Sequence, residues 1–301
     1  MTMDTGRVRA PQSMTTSRLW ATAPTCIRST TQVAYSSRVD ERVSDQSWLS
    51  VITVVKDAVS DLERTLASLQ DQLLDGVEYL VIDSSSEQAE IPVALAARQI
   101  PHRYVWQPAA GIYAAMNEGL KQARGTYVYF LNAGDELLPG ALAQVAAISD
   151  HGKASWVIGR VDVVSVSGAV VTTPAWNYAD EQRACFARGL FAPHQGTFAR
   201  ADDLRAVGGF DSDYRIAADY AAFLALTRLS SPVMLNSAVA RFHEGGLSTQ
   251  RWQDSFREFH RARKQLLKPT GKTAVLERLH TARQFLAVGV YRGIWSKIVK
   301  P

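Results

Sequence analysis

The chain is poor in cysteine: 301 residues contain two, Cys26 and Cys185. That is too few for a disulfide framework, and a reducing, cytoplasmic setting is expected. No stretch of about 20 apolar residues occurs, so a membrane-spanning helix is not expected. The first residues also lack the apolar centre of a secretory signal. Lys56, Asp57 and Ala58 follow the first apolar run, where a dinucleotide-dependent oxidoreductase would place Gly-x-Gly-x-x-Gly. Net charge is low as well, at +4, and no nucleic-acid-binding motif accompanies the bases.

What is present is a globular composition, 47% hydrophobic, with a lopsided distribution of charge. Residues 251–301 hold 12 Lys and Arg against 3 Asp and Glu, which leaves the rest of the chain mildly acidic. A basic C-terminal region of this kind suits an anionic surface. Residues 1–46 are rich in Arg, Ser and Thr and are expected to form a disordered extension.

From Trp48 the pattern alternates. Trp48–Val55 is a β-branched run suited to a buried strand, and 61–73 places Leu62, Thr65, Leu66, Leu69 and Leu73 on one helical face. Strands are predicted at Glu78–Ile82, His102–Trp106 and Thr126–Leu131, with helices over 91–99 and Met116–Ala123 between them. A hairpin around Ser167-Gly168, helices at Ala201–Val207 and Ala218–Arg228, and a strand at Val233–Phe242 follow. The alternation predicts an α/β fold with a mostly parallel sheet and helices on both faces. Ligands of such sheets bind at the carboxyl ends of the strands, where Asp83 and Asp135 both fall.

Sugar transfer from a nucleotide donor needs a counter-charge for the leaving diphosphate, polar groups to hold the nucleotide, and a base for the acceptor hydroxyl. Asp83 is placed to hold the nucleoside, Asp135 to ligate Mg²⁺ or Mn²⁺, and Asp219, at a helix start, to act as base. His243, ahead of Gly245-Gly246, is a second candidate for metal or phosphate. Each has a plainer reading as a turn residue or helix cap, or, for His243, as a structural histidine.

The order of segments resembles family 2 glycosyltransferases, in particular those of bacterial exopolysaccharide, O-antigen and colanic-acid assembly. SVITVV followed by a helix and EYLVID is similar to the family's nucleotide-binding start. QPAAGIYAAMNEGLKQARGTYVYFLNAGDELLPGAL, HQGTFARADDLRAVGGFDSDYRIAADY and FHEGGLST are similar to its later blocks. The resemblance covers residues 48–250 and implies a GT-A fold at 47–250 with a basic, amphipathic helical region at 251–301. It also implies an inverting, metal-dependent transferase with a nucleotide-sugar donor, expected to be a UDP-sugar. The candidate residues are then Asp219 as base; Asp83, Asn132 and Asp135 for the donor, with Gly111 (or a turn glycine) and Asn117 (or a local cap); His194, Gln195 and Arg215 (or a surface ion pair) on the acceptor side; and Asp135 and His243 for the metal.

The sequence departs from the family pattern in places. The usual Asp-x-Asp metal motif is Asn132-Ala133-Gly134-Asp135 here, and Ala109, Ala110 and Ala114 stand where relatives carry acids. This thinning motivates a second reading, a weak or inactive subunit that binds a glycan or a partner. Trp106 and Trp176 are expected to pack or to stack on sugar rings. The run FLAVGVYRGIW, with Arg283, Lys297 and Lys300, suits either an interfacial helix on the inner face of the cytoplasmic membrane, near a polyprenyl-linked acceptor, or a helix packed on the catalytic domain.

Overall fold

The computed structural model describes residues 47–148, 154–173, 193–245 and 251–298, apart from the side chains of Val288 and of residues 290–298. The expected N-terminal extension, both cysteines, Trp176 and most of the Gly-Gly-x-Ser loop lie outside the described residues.

The elements follow the predicted order. They are β1 (Leu49–Val55), α1 (Val59–Leu69), β2 (Val77–Asp83), α2 (Glu90–Arg98), β3 (Arg103–Trp106), α3 (Ile112–Gln122), β4 (Tyr127–Phe130), β5 (Glu136–Leu137) and α4 (Ala141–Ile148). After them come β6 (Trp156–Val164), β7 (Val170–Thr172), a 3₁₀ turn (His194–Gly196), β8 (Thr197–Arg200), α5 (Ala201–Ala206), α6 (Ala218–Leu226) and β9 (Val233–His243). Two further helices are α7 (Trp252–Leu267) and α8 (Gly271–Ile298).

One sheet runs in the order β3-β2-β1-β4-β8-β6-β9-β5, with β7 hydrogen-bonded to β6. The parallel half is β3-β2-β1-β4, as the alternation predicts. The other half is mixed. β8 runs antiparallel to both β4 and β6, β9 parallel to β6, and β5 antiparallel to β9. The sheet is therefore less parallel than expected, because β8 enters it antiparallel between β4 and β6, and β5 and β7 add antiparallel edges. The hairpin at Ser167-Gly168 forms as β6–β7, with Gly168 in the left-handed region at φ +83°.

The parallel strands read as continuous apolar runs because both faces are covered. Ile52, Val54, Leu80, Ile82, Val128 and Phe130 join a core with α3 and α6. Leu49, Val51, Tyr79, Val81, Tyr127 and Tyr129 join the other core, with α1, α2 and α4. Leu62, Leu66 and Leu69 of α1 are completely buried, each contributing about 1.5–3 kcal/mol over exposure.

The C-terminal pair is docked through α7. Phe259 meets Tyr220 of α6 at 4.7 Å between ring centroids, and Ala262 is buried. Arg263, fully buried, donates to Glu277 at 2.6 Å and to Thr281 at 2.9 Å, both on α8. The interfacial reading of FLAVGVYRGIW needs correction at its start. Phe285 turns inward onto Trp252 and Phe256, at 6.0 and 5.6 Å, because these rings line the seam between α7 and α8. No helix among the described residues is long and apolar enough to cross a membrane.

Candidate active site

The loops after β2 and β4 are tied to the same end of β1. Ser84 N donates to the Val55 carbonyl at 2.9 Å, and Ala133 N donates to the Val54 carbonyl at 3.2 Å. Asp83 and Asp135 therefore share the C-terminal rim of the parallel strands.

The polar edge of α1 shapes the Asp135 loop. Thr65 Oγ1 donates to the Asp135 carbonyl at 2.7 Å and accepts from Gly134 N at 3.0 Å, and Ser68 Oγ accepts from Leu137 N at 2.9 Å. Gly134 takes φ +100°, which suits glycine. Asp135 is buried, with Oδ2 accepting from Gln195 Nε2 at 3.1 Å. Burial pushes its carboxyl up to about 6, against the opposing pull of His194, the Gln195 bond and His243.

The 3₁₀ turn connects this loop to the base candidate. His194 Nδ1 lies 3.1 Å from Asp219 Oδ2, and its Nε2 lies 3.1 Å from Asn132 Nδ2. With the proton on Nδ1, the ring donates to Asp219 and accepts from Asn132. Burial alone would lower the His194 pKa, but the carboxylates of Asp219 and Asp135 more than offset this and raise it. Asp219, in the first turn of α6, also accepts from its neighbour's backbone, Tyr220 N, at 2.8 Å. The Tyr113 hydroxyl is shared between Asp219 Oδ1, at 3.2 Å, and the Ile216 carbonyl. Burial and the adjacent carboxylate raise the Tyr113 pKa, so the phenol stays protonated and donates.

Gly196 holds this turn against the sheet. A Cβ there would stand 2.5 Å from the Gly159 carbonyl oxygen and 2.9 Å from Val161 Cγ2. Gly196→Ala is expected to destabilise the fold by about 3 kcal/mol. It should also reduce transfer by shifting His194 and Gln195. Urea unfolding beside an initial-rate assay checks this, and unchanged values in both would refute it.

Other expected residues fall differently. Asp83 is fully buried, its Oδ1 accepting from Ser85 N at 2.8 Å and its Oδ2 from the Tyr104 hydroxyl at 2.7 Å. Beside it, Ser84 Oγ and Gln107 Nε2 are buried with no partner among the described residues. Gly111 starts α3 at φ +102° and faces open space. Asn117 is engaged locally. Its Nδ2 donates to the Phe210 carbonyl at 2.6 Å and its Oδ1 accepts from Phe210 N at 2.9 Å, so the amide clamps that loop. His243 Nε2 lies 2.6 Å from Glu136 Oε1. Arg215 is exposed at the near end of the Asp219 loop. Trp106 packs with its indole N–H on the Ser85 carbonyl at 3.1 Å.

Some contributors were not evident from sequence. Tyr104 holds Asp83 and Tyr113 holds Asp219. Glu258 of α7 accepts from three successive backbone N–H groups ahead of Asp219: Arg215 at 3.0 Å, and Ile216 and Ala217 each at 2.9 Å. Glu258 lies 39 positions beyond Asp219 in sequence, in a region that reads as a basic tail, so no local signal marked it.

Known proteins resemble the chain at both levels. The family model described as Glycosyl transferase family 2 matches residues 50–207. An uncharacterized glycosyltransferase of Mycobacterium tuberculosis is 30% identical over 210 residues, 67% of this chain and 78% of the relative. A PGL/p-HBAD biosynthesis glycosyltransferase of Mycobacterium bovis is 32% identical over 213 residues, covering 66% and 78%. Among solved structures, S. aureus TarS 1–349 superposes with TM-score 0.53 at 19% identity over 71% of this chain, which spans 64% of that chain's length. The mannosyltransferase PcManGT of Pyrobaculum calidifontis, in complex with GDP-Man and Mn²⁺, superposes with TM-score 0.56 at 15% identity, covering 79% and 69%. The fold is theirs, and the sequence match carries the activity class: the chain belongs to glycosyl transferase family 2 and is a glycosyltransferase of GT-A fold.

Proposed function

We propose that this enzyme moves a sugar from a nucleotide-sugar donor, a UDP-sugar, onto a glycan or lipid-linked acceptor with inversion, Asp219 serving as general base. The observation that carries the reading is the chain of contacts Asp219–His194–Asn132, with Gln195 joining Asp135. It brings one carboxylate at a helix start and one at a strand end to a single rim. The acceptor hydroxyl oxygen would bond to the anomeric carbon as the bond to the nucleoside diphosphate breaks. The hydroxyl proton would pass to Asp219, while Tyr113 and His194 hold that carboxylate in place. The buried, unpartnered Ser84 Oγ and Gln107 Nε2 supply an acceptor and a donor for a nucleobase beside Asp83. The TarS crystal structures include complexes with UDP and with UDP-GlcNAc, which favours uridine.

Among the described residues no three His, Cys, Asp or Glu side chains gather into a self-sufficient metal cluster. The donor set suits a cation that arrives with the diphosphate. Asn132 Oδ1 is buried without a partner, and the Asp135 carboxyl is pushed up by burial that a positive charge would relieve. Asn132 and Asp135 would hold Mg²⁺ or Mn²⁺, which would offset the negative charge developing on the leaving group. His243, whose Nε2 faces Glu136 Oε1, would join this set only by giving up that contact.

The test is thermal stability with UDP-, GDP- and dTDP-sugars, each with and without Mn²⁺. A matching donor at a hundred times its Kd should add about 2.7 kcal/mol. No stabilisation by any of them would remove the nucleotide-sugar reading.

A further inference from the structure

Helix α8 is built inside out. Its inward face, Glu277, Thr281 and Phe285, carries an ion pair and hydrogen bonds to Arg263 and His260 of α7, with Phe285 against the Trp252 and Phe256 rings. Its outward face carries the aliphatic groups. Val275, Leu276, Leu279 and Leu286 are 56%, 63%, 61% and 69% exposed. At 100° per residue these four fall within one side of the helix, and Lys272 and Arg283, both exposed, lie on the same side. A surface helix ordinarily buries its apolar side. Here the seam is closed by polar pairs and one aromatic cluster, while four aliphatic side chains face water, so the outward leucines await a cover.

We propose that this face docks on an anionic lipid bilayer, leucines in the acyl boundary and bases among the headgroups. The charge pattern selects that occupant. From residue 259 to the end of the chain the one acidic residue is Glu277, and it is spent on Arg263. Exposed Lys264, Lys268 and Lys272 at the α7–α8 turn extend the outward charge, all positive, beside Leu267. A second copy meeting the first through the same face would set cations against cations. Nucleic acid would leave the leucines wet. A surface of acidic headgroups over hydrocarbon satisfies both kinds of side chain.

The experiment is flotation of the whole chain with vesicles of phosphatidylcholine, alone or mixed with phosphatidylglycerol. Binding is expected to the mixed vesicles, weakening as salt rises. Lys272→Gln or Arg283→Gln should each reduce partition about fivefold, and Leu279→Glu with Leu286→Glu about tenfold or more. These side chains point away from the fold, so the melting temperature and donor binding should stay unchanged. Failure here would thus be distinguishable from failure of the sugar-transfer reading. Equal binding to both vesicle types, binding to neither, or dimers lost in the glutamate variant without vesicle binding would each overturn the assignment.

Discussion

Asp135→Asn is expected to make the protein more stable at pH 7 while removing its hold on the donor. Burial raises the Asp135 carboxyl from 3.8 to about 6, so the folded state binds its proton more tightly than the unfolded chain does. The protonated form is therefore favoured by folding. That contribution is complete below pH 3.8 and is lost as pH rises through 6. At pH 7 the buried carboxylate costs up to about 3 kcal/mol. An amide of the same shape can still accept from Gln195 and carries no charge. The melting temperature should rise by about 5 °C at pH 7, with the gain fading towards pH 4. The same variant should lose the stabilisation that a nucleotide sugar with Mn²⁺ gives the parent. Parallel melting curves across the pH range would show that this carboxylate is not strained by burial. Retained donor response would show that it does not serve the diphosphate.

Asp219→Asn should lower kcat about 10²- to 10⁴-fold, equivalent to about 3–5 kcal/mol of barrier, with donor affinity nearly unchanged. The asparagine keeps an oxygen towards Tyr113 and Tyr220 N, so the loop should hold its shape. What disappears is the capacity to take the acceptor proton. Turnover measured at saturating donor, beside donor titration by thermal shift, separates the two effects. A variant that transfers sugar at the parental rate would move the base elsewhere, with His194 the nearest alternative.

The parallel half of the sheet was legible because β1, β2 and β4 are short apolar runs bounded by helices of clear period, and local pattern suffices for such elements. Asp135 and Asp219 were legible for a related reason, since each sits where a strand ends or a helix begins. The mixed half was not, because β8 and β9 join the sheet through partners far along the chain. The partner of Asn117 was hidden in the same way. Its amide answers the backbone of Phe210, 93 positions later, and nothing near Asn117 announces that loop. Nothing in the sequence singled out Tyr104 or Tyr113, yet their hydroxyls hold Asp83 and Asp219.

The grip of Glu258 on the three N–H groups before α6 changes how the C-terminal region should be regarded. Each of those amides donates to a carboxylate supplied by α7, so a fragment ending at residue 250 would leave the turn before Asp219 unanchored. The segment that looks like an appendage for touching a bilayer thus also braces the proposed base, Asp219. Any push on α7 and α8 at a membrane would be felt, through one glutamate, in the turn that carries Asp219.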